Sequence, residues 1–102
     1  MDPRIATYLD QLESWDPGTR RLAVAALASL QVASPEVVAA LLVRLEDEAA
    51  SVRGAAARAL GQLQVASPEV IAALAQRVVA DPDPPVAQEA TSALETLLSK
   101  GT

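Results

Sequence analysis

The stretch LGQLQVASPEVIA at Leu60–Ala72 repeats the stretch LASLQVASPEVVA at Leu27–Ala39, 33 positions further along the chain. The two copies share an identical core, LQVASPEV, at Leu30–Val37 and Leu63–Val70. A fixed period of this length is the sequence signature of stacked structural repeats. The sequence therefore predicts a repeat scaffold whose function lies on a repeated surface, and we expect no catalytic pocket.

Helix starts are marked by Asp-Pro or Ser-Pro pairs, in which the first residue caps the helix and proline occupies its first position. Such pairs precede five of six segments with apolar residues at helical spacing. The sequence predicts helices over about 3–14, 17–30, 35–46, 50–63, 68–80 and 84–100, with Gly101 as the C-cap of the last helix.

The helices fall into two alternating types. Residues 16, 49 and 83 stand at equivalent starts, and the apolar stripes of the second, fourth and sixth helices superpose in this register. These are termed A helices, and the first, third and fifth are termed B helices. No single pair can bury its apolar stripe alone, so we predict an all-α solenoid of three helix pairs that forms one domain over 1–102.

Composition excludes several classes of function. The chain has no Cys and no His, which removes thiolate metal sites, disulfides and the usual general base. A net charge of −5 disfavours binding to a phosphate backbone. No apolar run approaches the roughly 18 residues of a membrane span, and the N-terminus is unlike a signal peptide. We expect a cytoplasmic protein without catalytic residues, cofactor, metal, nucleic-acid partner or membrane partner.

The segment Leu45–Leu74 resembles a HEAT repeat of the short bacterial type found in phycobilin-lyase-like proteins. It has an acidic turn, then Val52-Arg53, then an Ala-Ala-x-Ala-Leu-Gly helix and a Pro-Glu-x-Ile-x-x-Leu helix. Elsewhere the pattern is looser, since the Val-Arg pair becomes Thr19-Arg20 and Val86-Ala87. The resemblance implies a right-handed α-solenoid from a bacterium that acts as an interaction scaffold.

The resemblance also implies a structural role for the repeated arginine. Arg53 is expected to brace the acidic turn formed by Asp47 and Glu48, and Arg20 is expected to do the same near Asp16. The third repeat lacks this arginine, which is consistent with a terminal repeat that has no following neighbour.

HEAT solenoids generally form their concave face from the B helices. The outward B-helix positions selected as partner-binding candidates are Gln11, Val43, Arg44, Gln76 and Arg77. Arg44 and Arg77 are equivalent positions, and such a row suits an acidic peptide or helix because arginine is a favoured interface anchor. Solvated charge beside Glu36 and Glu69 is the alternative interpretation, and both stay open at this point.

The two ends of the predicted solenoid differ. The last helix is polar on its flanks, as a capping helix requires, whereas the second helix is apolar almost all round and has no preceding A helix. We expect an apolar edge patch around Trp15, Leu22 and Val24. A partner, self-association through this N-terminal edge and upstream repeats are open explanations, as is a patch too small to matter.

The function predicted from the sequence is non-enzymatic: a scaffold that presents a repeat surface to a protein or peptide of unknown identity. Two alternatives remain. One is an accessory or chaperone-like subunit of a bilin-lyase-type system, and the other is a HEAT sensor module of a larger bacterial signalling or defence protein.

Overall fold

A computed structural model of the chain describes residues 2–99, and all regular structure in that range is helical. The helices are α1 (Pro3–Gln11), α2 (Pro17–Ser29), α3 (Pro35–Arg44), α4 (Ala50–Gln62), α5 (Pro68–Ala80) and α6 (Pro84–Ser99). Each begins at the residue that the sequence indicates, and α1 to α5 end within three residues of the expected position. The predicted extension of α6 to Lys100 and the Gly101 cap lie outside the described residues.

Side-chain caps explain most of the helix starts. The carboxylates of Asp2 and Asp16 accept hydrogen bonds from first-turn backbone N–H groups at 2.8 and 3.0 Å. The hydroxyls of Ser34 and Ser67 do the same for α3 and α5 at 3.4 and 3.3 Å. Ala49 precedes α4 and offers no side-chain cap. That start depends on the tertiary contacts of the preceding turn.

The turns that follow α2 and α4 use the same backbone conformation. Gln31 and Gln64 occupy equivalent positions, and both have a positive φ, at 56° and 58°. A residue in the left-handed region just after a helix allows the backbone to close its last turn, and it is most often glycine. Its N–H donates to a carbonyl of the last turn in both cases, at 3.0 Å to Ala28 and 3.1 Å to Gly61.

The helices form two layers, and the helices of one layer pack against each other more closely than those of the other. The A helices α2, α4 and α6 pack side by side with α4 in the centre, and each B helix packs against an A helix, whereas α1, α3 and α5 hardly touch one another. The A layer is tight because its contacts are made by buried small residues, including Ala56, Ala57 and Ala59. A Cβ added to Gly61 would lie only 3.0 Å from the Cβ of Ala93.

The core lies between the two layers. Its largest members are leucines from both helix types and from the ends of α1 and α3, namely Leu12, Leu27, Leu41, Leu45, Leu60 and Leu74, each with at most 1% of its surface exposed. Full burial of one such side chain stabilises the folded state by about 1.5–3 kcal/mol. The predicted all-α solenoid of six helices is thereby confirmed.

Candidate partner-binding surfaces

The repeated arginines join successive inter-helix turns. Arg20 Nη1 donates to the carbonyl oxygen of Ser14 in its own turn at 2.7 Å. Its Nε and Nη2 donate to the two carboxylate oxygens of Asp47, in the next repeat, at 2.9 and 3.0 Å. Asp16 instead caps α2, through Thr19. Arg20 thus contacts the turn near Asp16 through the carbonyl of Ser14, and its carboxylate partner is Asp47 of the next repeat.

Arg53 repeats this arrangement one unit later. Its Nη1 donates to the carbonyl oxygens of Asp47 and Glu48 at 2.8 and 3.2 Å, so it contacts the acidic turn through the backbone. Its carboxylate partners come from the following turn, where Asp81 and Asp83 lie at 2.8 and 2.9 Å. The arginine therefore reaches forward to the turn of the following repeat, and the equivalent position in α6 is Ala87.

The aspartates at the centre of this ladder are held ionised. Burial alone would raise the pKa of Asp47, but hydrogen bonds from Arg20 and from the backbone N–H of Ala49 outweigh it, and the pKa is lowered. The pKa of Asp81 is lowered by the same balance, with Arg53 and the N–H of Asp83 as donors. Both carboxylates are thus engaged by structural partners. Within residues 2–99 no group of acidic side chains has a geometry that could hold a metal ion.

The B-helix row differs from the expectation in its charged members. Gln11, Val43 and Gln76 are exposed as expected, and Val43 exposes 57% of its surface. Arg44 is mostly buried, because it donates to the carbonyl oxygen of Leu12 at 2.8 Å and pairs with Asp47 at 3.3 Å. Arg77 pairs with Asp81 at 3.3 Å in the same way. These two arginines complete the ladder and are not free anchors on an exposed face.

Two of the three residues in the predicted edge patch are exposed. Trp15 exposes 89% of its surface and Leu22 exposes 60%. Val24 is fully buried, and its inclusion was wrong. Its equivalent in α4 is the buried Ala57, which lies on the flank that also carries Gly61, next to α6. Val24 therefore packs towards α4, on the side of α2 opposite to Leu22.

A surface recess crosses the A helices. It has a volume of about 930 Å³ and is lined by α2, α4 and α6, with no residue of a B helix. The recess therefore lies on the A-helix side, and the concave B face expected from the sequence stays a prediction. Small residues line the recess, among them Ala25, Gly54 and Ala55. We call this recess the A groove.

Besides Asp83, which pairs with Arg53, three charged side chains border the A groove. Arg58 of α4 pairs with Glu89 of α6 across it. Arg21 of α2 is exposed and has no hydrogen-bond or ion-pair partner among residues 2–99. Sequence reasoning missed all three, because none of them recurs at the repeat period. The available signal was the set of small residues on the outer flank of the A helices.

Comparison with known families agrees with this architecture. The family model described as HEAT repeats matches residues 5–95. The chain belongs to the HEAT-repeat family. HEAT repeats generally mediate protein–protein interaction and are generally non-catalytic. Among curated proteins, no relative matches this HEAT-repeat chain. Across residues 2–99, none of its helices combines the length and the apolar character needed to cross a membrane.

Proposed function

We propose that this HEAT-repeat protein acts without catalysis, as a module that binds a segment of a partner protein in the A groove. The observation that carries the proposal is the groove itself, a recess of about 930 Å³ formed by three helices of one braced layer. A concave recess with a few polar groups at its border is the usual form of a binding site.

The groove walls allow a partner backbone to approach closely. Ala25, Gly54 and Ala55 carry little or no side chain, so an incoming helix or extended segment meets no bulky residue there. The arginine ladder joins the turns that precede the A helices and so fixes the register of these helices. Little conformational entropy is then lost from the module on binding, which favours affinity for a given buried area.

Charge at the groove border selects the partner. Arg58 is already neutralised by Glu89, whereas Arg21 has no carboxylate within ion-pair distance among residues 2–99. An acidic side chain of the partner placed beside Arg21 would supply the missing counter-charge, and arginine is a frequent interface anchor. The proposed partner segment therefore carries an Asp or Glu next to small or apolar residues.

A displayed library of random peptides tests the proposal even though the natural partner is unidentified. Peptides selected on the wild-type protein are measured against Arg21→Gln and Ala25→Gln, which remove the free charge and narrow the groove. Both residues are exposed, so circular dichroism should show an unchanged fold. We expect the affinity of acidic peptides to fall about tenfold or more with either variant, as loss of an interface anchor does.

The matched control is Gln76→Glu, which changes the net charge by the same one unit as Arg21→Gln but lies on α5, outside the A groove. It should leave the affinity of the selected peptides unchanged. Because Gln76 belongs to the B-helix row, a loss confined to Gln76→Glu would instead place binding on the B helices. That result would overturn the groove assignment.

A further inference from the structure

The outer face of α4 forms the floor of the A groove. The exposed Ser51, Arg58 and Gln62 and the half-buried Ala55 recur at helical spacing, so they share one face of the helix, and all four line the groove. Arg58 is the charged member of this row, and 63% of its side chain is exposed. It is therefore the cation that α4 offers to an occupant of the groove.

The two walls of the groove carry opposite charges beside Arg58. Arg21 of α2 lines one wall, is exposed and makes no hydrogen bond or ion pair within the described part of the chain. Glu89 of α6 lines the other wall, and its Cγ would lie 3.9 Å from a Cβ added to Gly54, so its side chain packs towards α4. Arg58 lies between these walls and pairs with Glu89. The cation of α4 is thus neutralised, whereas the cation of α2 is not.

The pair of Arg58 and Glu89 is not needed to hold α4 against α6. Both side chains are partly exposed, by 63% and 30%, and an ion pair at the surface contributes little to stability. The junction is held instead by the tight contact of Gly61 with Ala93 and by the bonds of Arg53 to the turn before α6. The main consequence of the pair is therefore for the charge of the groove.

A second carboxylate that enters the groove would gain little from Arg58. It would have to displace Glu89, which exchanges one ion pair for another and leaves two carboxylates close together. Like charges brought together at an interface disfavour binding, and repulsion of this kind is a common way to reject a wrong partner. An acidic residue beside Arg21 meets no such competitor, because Arg21 has no carboxylate partner among residues 2–99.

We propose that Glu89 is a specificity-determining residue of the A groove, which occupies Arg58 and so restricts the groove to partner segments with a single acidic residue. This inference rests on the proposed function, and it adds the class of segment that is rejected, namely one whose second carboxylate would lie beside Arg58. Removing the carboxylate of Glu89 should therefore increase binding. Loss of a contact residue or of a stabilising ion pair would have the opposite effect.

A displayed peptide library, selected separately on the wild type and on Glu89→Gln, tests this role. The wild type should select peptides with one Asp or Glu, and Glu89→Gln should select peptides with two. The two-acid peptides should bind Glu89→Gln about tenfold or more tightly than the wild type, as expected for one additional charge-assisted hydrogen bond. Single-acid peptides should bind both proteins with similar affinity.

The matched control is Glu95→Gln. It removes the same charge from the same helix, but Glu95 is exposed and lies outside the groove. This variant should bind the two-acid peptides as weakly as the wild type does, and both variants should unfold thermally like the wild type. An equal gain in Glu95→Gln would assign the effect to net charge and would overturn the proposal.

The variant Arg58→Gln shows whether Glu89 acts through Arg58. Combined with Glu89→Gln, it should abolish the gain for two-acid peptides, whereas by itself it should hardly change the affinity of single-acid peptides. A gain that persists in the double variant contradicts the proposal. So does a Glu89→Gln variant that loses affinity for peptides carrying Lys or Arg, because Glu89 would then bind a basic residue of the partner.

The proposed function and the role of Glu89 fail in different ways. If Arg21→Gln and Ala25→Gln leave the affinity of wild-type-selected peptides unchanged, the groove is not the binding site and both proposals are wrong. If these variants weaken binding but Glu89→Gln selects the same single-acid peptides as the wild type, only the role of Glu89 is wrong.

Discussion

The two junctions between successive repeats use the same ladder with different redundancy. At the first junction, between α2 and α4, Arg20 depends on one carboxylate, that of Asp47. At the second junction, between α4 and α6, Arg53 is shared between Asp81 and Asp83. The two junctions therefore share a geometry because their sequences are nearly identical. They should nevertheless differ in how much stability is lost when one aspartate is removed.

The junctions also differ in helix packing. The first has Ala28 at a position where the second has Gly61, and a Cβ added at Gly61 would lie tightly against Ala93, at 3.0 Å from its Cβ. The second junction is thus tighter in its apolar contact and more redundant in its charges. The first junction is looser in its apolar contact and has a single carboxylate for its arginine. This contrast yields three predictions.

The largest effect is expected from removing the aspartate of each ladder. Asp47→Asn should lower the melting temperature by more than about 10 °C, because it leaves buried guanidinium charge without a counter-ion. Asp81→Asn should have a smaller effect, since Arg53 keeps Asp83 at 2.9 Å. Thermal unfolding of both variants followed by circular dichroism measures the difference. Equal losses would show that Asp83 does not compensate for the loss of Asp81. The double variant Asp81→Asn with Asp83→Asn should lower the melting temperature as much as Asp47→Asn does.

Acid should weaken both junctions together. The pKa values of Asp47 and Asp81 are lowered in the folded state, so the unfolded chain binds protons first as the pH falls. The stability they contribute is complete above the ordinary aspartate pKa of about 3.8 and is lost below it. Urea unfolding should show no change in this contribution between pH 7 and about 5 and a clear loss below about 4. In Asp47→Asn that acid-dependent loss should be reduced; an identical loss would assign the acid sensitivity to other groups.

The smallest effect is expected from exchanging the small residues. Gly61→Ala should destabilise by about 1 kcal/mol, because the new methyl overpacks the contact with Ala93 more than it improves helix propensity. Ala28→Gly should also destabilise by about 1 kcal/mol, since it lowers helix propensity and removes a buried methyl. Urea midpoints at constant m-value measure both changes. A stabilised Gly61→Ala would mean that α6 can move away at no cost, and the junctions would then be equivalent.

Periodicity and helix punctuation were enough to predict the fold from the sequence. Each Asp-Pro or Ser-Pro pair is a local signal, and the 33-residue period shows that equivalent helices must stack. The forward reach of Arg20 was not predictable in this way. Its partner is 27 residues away, and Asp16 is an equally acidic candidate close in sequence.

Candidate surfaces were harder to predict than the fold. Arg44 and Arg77 have the sequence pattern of an exposed row, yet the structure pairs them with Asp47 and Asp81. Val24 belongs to an apolar stretch that gives no indication of which flank faces α4. The A groove is formed by α2, α4 and α6, whose lining residues are far apart in the chain and come together only in the folded structure.

By itself, the sequence determined the number, order and starts of the helices, their two alternating types and the contrast between an apolar first edge and a polar last one. These are consequences of local caps and of periodic apolar residues, which act over one or two helical turns. Only the tertiary structure decided which acid each arginine binds, which face is recessed and which edge residues meet solvent. Those properties depend on distances between residues far apart in the chain, and small side chains in the A layer set these distances by allowing its helices to pack closely.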